Sequence, residues 1–132
     1  MYEFKNEFKT DIEFVDSQHK RLFDIADKIY LLLNDEFSID KYDKILDLIE
    51  ELKDYTAFHF SAEEKYMESI NYKDLSSQKE EHKLFIKKLD EIDFNDLDNN
   101  QDNYIKDILS FVNSWLINHI YEKDKLIPKQ NI

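Results

Sequence analysis

The 132-residue chain has no cysteine, no glycine and a single proline. Without cysteine there is no disulfide and no thiolate metal site, and no redox hint about compartment. Without glycine a P-loop or a dinucleotide-binding fingerprint is excluded, because both need a residue lacking Cβ where backbone meets phosphate. Long apolar runs are missing as well. None approaches the roughly 18 residues that span a bilayer. The opening MYEFKNEFKTDIEF is acidic and interrupted by charge, so it does not read as a secretory signal. No membrane partner is expected, and the cytoplasm is the default compartment. Basic residues are the minority, 18 Lys and Arg against 30 Asp and Glu, for a net charge of −12. They are scattered among acids, which argues against nucleic acid as a partner.

What is present is apolar and periodic. Hydrophobic residues make up 42% and aromatics 14%, enough for one compact domain with a true core. Four long stretches repeat at helical spacing and none alternates at period two. The first runs from about Ser17 to Phe37, with Leu22, Phe23, Ala26, Ile29, Tyr30 and Leu33 on one face. The second starts near Ser38, a suitable N-cap, and runs to about Ser69 through Ile45, Leu48, Leu52, Tyr55, Ala62 and Met67. The third spans roughly Asp74 to Phe94, and the fourth roughly Asp102 to Ile127, with Pro128 marking its end. Asn34-Asp35, Asn71-Tyr72-Lys73 and the polar run Asn95 to Gln101 read as connections, where Asn and Asp stand in for glycine in left-handed turns. Short loops between long amphipathic helices predict an all-α, up-down-up-down four-helix bundle over 17–127. Residues 1–16 form an N-terminal arm of the same single domain, and its Phe4, Phe8, Ile12 and Phe14 need somewhere to pack.

The four histidines, His19, His59, His82 and His119, fall one to each helix and always on the apolar face. One such histidine is ordinarily a core residue satisfied by a hydrogen bond. Four are harder to explain that way, since each buried imidazole needs its own partner. A bundle interior reached from every helix is where metal sites are built. In HFSAE, Glu63 follows His59 by four residues and shares its face, whereas Glu64 reads as a solvated helix acid. In WLINHIYEKD, regular helix geometry selects Glu122, three residues after His119. Asp124, five residues on, reaches inward only if the helix widens locally, as at a π-bulge. Periodicity leaves the two open.

The segments DSQHKRLFD, YTAFHFSAEEKYM, NYKDLSSQKEEHKLF and WLINHIYEKD, in this order and spacing, resemble the bacterial hemerythrins over essentially the whole chain. The resemblance implies a bundle holding two non-heme irons in an oxo- or hydroxo-bridged diiron centre that binds O2 reversibly. It assigns His19 and His59 to one iron, and His82, His119 and position 78 to the other. Glu63 and Asp124 become the bridging carboxylates, which selects Asp124 over Glu122. Leu22, Phe60, Trp115, Leu116 and Ile120 match the family's apolar O2 pocket, which keeps water and protons from the bound oxygen. The departure is Gln78, where the pattern wants histidine. An amide oxygen can ligate iron but is a neutral donor, less suited than imidazole. It can equally hold a coordinating water, or face elsewhere.

Three functions compete. The first is an O2 carrier, store or sensor rather than a catalyst. The second is a diiron redox enzyme acting on peroxide or ferrous iron, motivated by an exchangeable position that Gln78 would create. The third is a bundle used only for protein interaction, which the polar exterior disfavours because it shows no obvious apolar docking patch.

Overall fold

A computed structural model describes residues 3–35, 37, 41–92 and 97–129. Four α-helices, α1 (Glu13–Leu33), α2 (Lys41–Ser69), α3 (Leu75–Asp90) and α4 (Leu97–Glu122), make a four-helix bundle with no strand among the described residues. Short 3-10 segments stand at Asn6–Phe8 and Asp124–Lys129. The expected helices are all present, with shifted ends. Helix α1 starts and stops four residues earlier than its periodicity suggested. Helix α4 begins at Leu97, inside the run read as a loop, because the polar composition there conceals helical backbone. The proposed cap Ser38 lies outside the described residues, as do Phe94 and residues 95–96 of the proposed loop.

The ends are set by side chains rather than by glycine. Asp16 closes the start of α1: its Oδ1 accepts from the Thr10 backbone N–H at 2.7 Å and from the Thr10 hydroxyl at 2.8 Å. At the end of α2, Asn71 takes the left-handed conformation with φ 53°, as its residue type predicts. The Tyr72 N–H then donates to the Met67 carbonyl at 2.9 Å and the Asn71 N–H to Glu68 at 3.1 Å. This is the paired closure that usually employs glycine. Tyr72 and Met67 pack together inside the turn.

The interior has three layers. A large apolar core takes Leu22, Phe23, Ile25 and Ile29 from α1, Ile45, Ile49, Leu52 and Phe60 from α2, Phe85 and Leu89 from α3, and Ile105 to Ile120 from α4. A small apolar plug at the other end joins Ile12, Val15, Met67, Tyr72 and Ile127. Between them lies one buried polar layer containing His19, His59, Glu63, Gln78, His82, His119 and Asp124. Each fully buried Leu, Ile or Phe contributes about 1.5–3 kcal/mol relative to exposure, whereas an unsatisfied buried polar group costs about 1–3 kcal/mol. The apolar layers outnumber the polar one, so the bundle stands on its core and can carry an expensive polar stratum. The arm packs on this core: Phe8 stacks on Phe23 at 5.5 Å between ring centroids, and Lys125 Nζ donates to the Glu7 carbonyl at 2.9 Å.

Candidate metal centre

The polar layer forms because 3.6-residue periodicity puts one chemistry-bearing turn of each helix at the same height. On α1, His19 lies between Val15 of the plug and Leu22 of the core; on α2, Glu63 lies between Met67 and Phe60. On α3, Gln78 and His82 are one turn apart and both buried. His119 comes from the last turns of α4.

Asp124 arrives differently. Helix α4 ends at Glu122, the Lys123 N–H still donates to the His119 carbonyl at 2.9 Å, and the chain then tightens into the 3-10 segment. Beyond the turn at Lys123 the α-helical register no longer applies, and Asp124 is fully buried while Glu122 is exposed. No π-bulge is needed. The regular-helix preference for Glu122 is therefore overturned: Glu122 is the last helical residue and faces out, and the buried carboxylate comes from the segment after the helix.

Side-chain atoms converge closely in this layer. His19 Nε2 is 3.1 Å from Asp124 Oδ2 and 3.9 Å from Glu63 Oε2; His59 Nε2 is 3.4 Å from the same Glu63 oxygen. On the other side, His82 Nε2 is 3.2 Å from Glu63 Oε1, and His119 Nε2 is 3.3 Å from Asp124 Oδ1. The two imidazole nitrogens of His82 and His119 face each other at 3.1 Å. Gln78 Nε2 donates to Asp124 Oδ1 at 3.2 Å. Two groups result, His19–His59–Glu63–Asp124 and Glu63–His82–His119–Asp124, which share both carboxylates.

Despite this proximity, the layer is poorly hydrogen-bonded. Both Glu63 oxygens, Asp124 Oδ2, Gln78 Oε1 and His19 Nδ1 are buried without a hydrogen-bond partner. Buried polar groups ordinarily find partners, so several orphans aimed at one another need a different explanation. A cation supplies it. Donors at about 2.0–2.2 Å from a metal ion lie roughly 3.0–3.5 Å apart, which is the spacing of most of these contacts. The residues fit a metal.

The far nitrogens of three histidines are held from outside the layer. Gln18 Oε1 lies 2.7 Å from His59 Nδ1 and Glu64 Oε2 lies 2.8 Å from His82 Nδ1, both in hydrogen-bond contact; Glu81 Oε2 lies 3.1 Å from His119 Nδ1 as an ion-pair contact without hydrogen-bond alignment. Such partners fix the ring and tautomer of a metal-binding imidazole. Sequence reading missed Gln18 and Glu81 and took Glu64 for a solvated acid. Instead it bridges α2 to α3, with its side chain only 25% exposed. The signal that could have found them is the general need of a ligating imidazole for an acceptor on its second nitrogen.

Ionisation follows the same geometry. Burial is the largest influence on His59 and holds its imidazole below the ordinary range despite Glu63. Burial also presses His82 downward, but the contacts with Glu63 and then Glu64 outweigh it and leave the ring above the ordinary range. Burial raises the Asp124 carboxyl, yet the histidines His119 and His19 bring it well below the usual carboxylate range. Glu63 is likewise pushed up by burial and by Asp124, and brought down by His59 and His82. Ionised carboxylates beside a neutral His59 make a donor set suited to a cation.

The apolar residues singled out from the sequence adjoin this layer. Leu22, Phe60, Leu116 and Ile120 are buried in the core. The Phe60 ring stacks on His82 at 3.9 Å and 2°. Half-buried Trp115 stacks on His119 at 4.4 Å and 11°.

A helical bundle with a buried, shared histidine–carboxylate cluster is the class of fold whose core can hold cations. The family model "Hemerythrin HHE cation binding domain" matches residues 10–129. A bacteriohemerythrin of Clostridium acetobutylicum is 50% identical over 125 residues, covering 95% of this chain and 97% of that protein. Those of Methylococcus capsulatus and Pseudomonas paraeruginosa are 32% and 34% identical, covering 91% and 92% of this chain and 88% and 75% of theirs. The chain belongs to the hemerythrin family.

Proposed function

We propose that this chain is a non-heme diiron protein that binds O2 reversibly, as carrier, store or sensor. The observation that carries the reading is the pair of donor groups sharing Glu63 and Asp124. His19 and His59 would hold one iron and His82 and His119 the other, with Glu63 and Asp124 available to both. When bound, the iron pair supplies reversible O2 chemistry. The chain's own residues do the rest. Gln18, Glu64 and Glu81 orient three imidazoles, while Leu22, Phe60, Leu116 and Ile120, all buried, exclude water from the polar layer. No helix of the described residues is long and apolar enough to cross a membrane. O2 or a related small molecule is the partner this interior suits.

A second reading, a redox enzyme acting on peroxide or ferrous iron, is favoured by one feature. Gln78 supplies an amide where the resemblance wants a third imidazole on the second iron, and an exchangeable position there would admit a substrate.

Iron-loaded protein, reduced without air, exposed to O2 and then degassed, separates the two. Near-ultraviolet and visible absorption that appears with O2 and fades on degassing is the expected result. A transient spectrum that leaves an oxidised form unchanged by degassing would transfer the reading to the enzyme.

A further inference from the structure

We infer that Gln78 is a reversible amide: its N–H pairs with Asp124 when no cation is bound there, and its Oε1 becomes a ligand when the second metal enters. This role presupposes the two-metal reading above and concerns a residue that distinguishes this chain from the family pattern.

The geometry places the amide at a corner of the second donor group. Gln78 Nε2 is 3.2 Å from Asp124 Oδ1, and the neighbouring separations are the same: His119 Nε2 to Asp124 Oδ1 is 3.3 Å, His82 Nε2 to His119 Nε2 is 3.1 Å, and His82 Nε2 to Glu63 Oε1 is 3.2 Å. The end of Gln78 therefore keeps the spacing of a ligand atom. It is fully buried, on the same face of α3 as His82 and one turn before it.

Which end of the amide faces the centre depends on charge. Without a cation, Asp124 is an ionised acceptor, and an N–H is the end that suits it. A cation among Asp124, His82 and His119 reverses that preference, because an amide N–H has no lone pair to offer and carries partial positive charge. The carbonyl oxygen does have lone pairs. The two ends differ little in size, and the last torsion of glutamine is broad and roughly two-fold, so the exchange needs no repacking of the core. Gln78 Oε1, buried without a hydrogen-bond partner, is not tied to its present side. After the turn, the NH2 must find an acceptor where Oε1 now meets no donor. That cost keeps the amide a weaker ligand than imidazole.

Calorimetric titration with ferrous iron under anaerobic conditions tests this. The parent protein takes up two irons in two steps. Gln78→Leu weakens one step by more than about 100-fold, beyond the 10–100-fold typical of a lost outer partner, and leaves the other step within about threefold. Gln78→His tightens that same step. If Gln78 acted only by orienting Asp124, both steps would weaken together, since both donor groups use that carboxylate; that result overturns the inference, and so do two unchanged steps. Should Gln78→Leu not retain the helical circular dichroism of the metal-free parent, Gln78→His alone decides, by moving one step or both. A second reading uses the diamagnetic Zn2+ ion. The Gln78 side-chain 15N–1H signals, assigned by their absence in Gln78→His, shift when Zn2+ fills both positions, and unmoved signals overturn the turn of the amide. Fewer than two irons in the parent is a separate result, visible before any variant is made, and it removes the two-metal reading together with this one.

Discussion

The two halves of the polar layer differ in how their histidines are supported. On the α1–α2 side, His59 leans on the neutral amide of Gln18, and His19 Nδ1 is buried with no partner. On the α3–α4 side, both imidazoles lean on carboxylates, Glu64 for His82 and Glu81 for His119. A carboxylate partner makes an imidazole a stronger donor. The side with the weak ligand, Gln78, thus carries the better-supported histidines. A surface groove of about 430 Å³, lined by Ala57, Ser61, Glu64, Lys79 and Lys83 among others, borders His82 and Phe60. Both halves are buried; one is lightly braced, the other more strongly. Against its missing third imidazole, the second half sets the Glu64 carboxylate on His82.

The largest expected effect tests ligand count. His59 is one of two histidines on its side, so His59→Ala should empty that position, whereas Gln78→Ala should leave iron bound more weakly on the other. Iron content after desalting compares them, and equal retention in the two variants breaks the contrast. Next in size come the braces. Glu64→Gln and Glu81→Gln should each lower iron affinity about 10–100-fold, and Gln18→Leu should cost less because it removes a neutral partner. Matching losses in all three would mean that the charge of the brace is immaterial. The smallest effect is in acid. His82, held above the ordinary imidazole range by Glu63 and Glu64, takes a proton before His59, which burial holds below it. Protons and metal compete for the same nitrogen. As pH falls through the imidazole range, iron should leave the α3–α4 side first and return when the pH is raised. Release from both sides at one pH would erase the difference.

Much of this arrangement was legible before any coordinates. Helical periodicity alone placed His19, His59, His82, His119 and Glu63 on inward faces, because a 3.6-residue repeat fixes which side chains share a face. Asp124 was not legible that way. Helical spacing favoured Glu122, and only the resemblance to the family chose Asp124, because Asp124 lies past the end of α4, where helical spacing no longer says which way a side chain faces. The braces were hidden for another cause. Glu64 and Glu81 act across helix pairs, and such contacts depend on how two helices are rotated about their axes, which a single chain of letters does not state. Helix ends were misplaced where the sequence lacks glycine and proline to mark them, as at Leu97, where polar residues look like a loop and the backbone is helical.

The short segment Asp124–Lys129 does two jobs within a few residues. Asp124 reaches into the centre, and Ile127, three residues later, is clamped among Ile12, Val15, Met67 and Tyr72. The beginning of α1, the α2–α3 turn and the run after α4 are therefore latched by the same piece of chain that completes the donor set. A metal held by Asp124 is expected to steady that latch, and with it the three segments packed on Ile127. Occupancy deep in the bundle is thereby legible at its end, as resistance of the segment after Glu122 to proteolysis and to amide exchange.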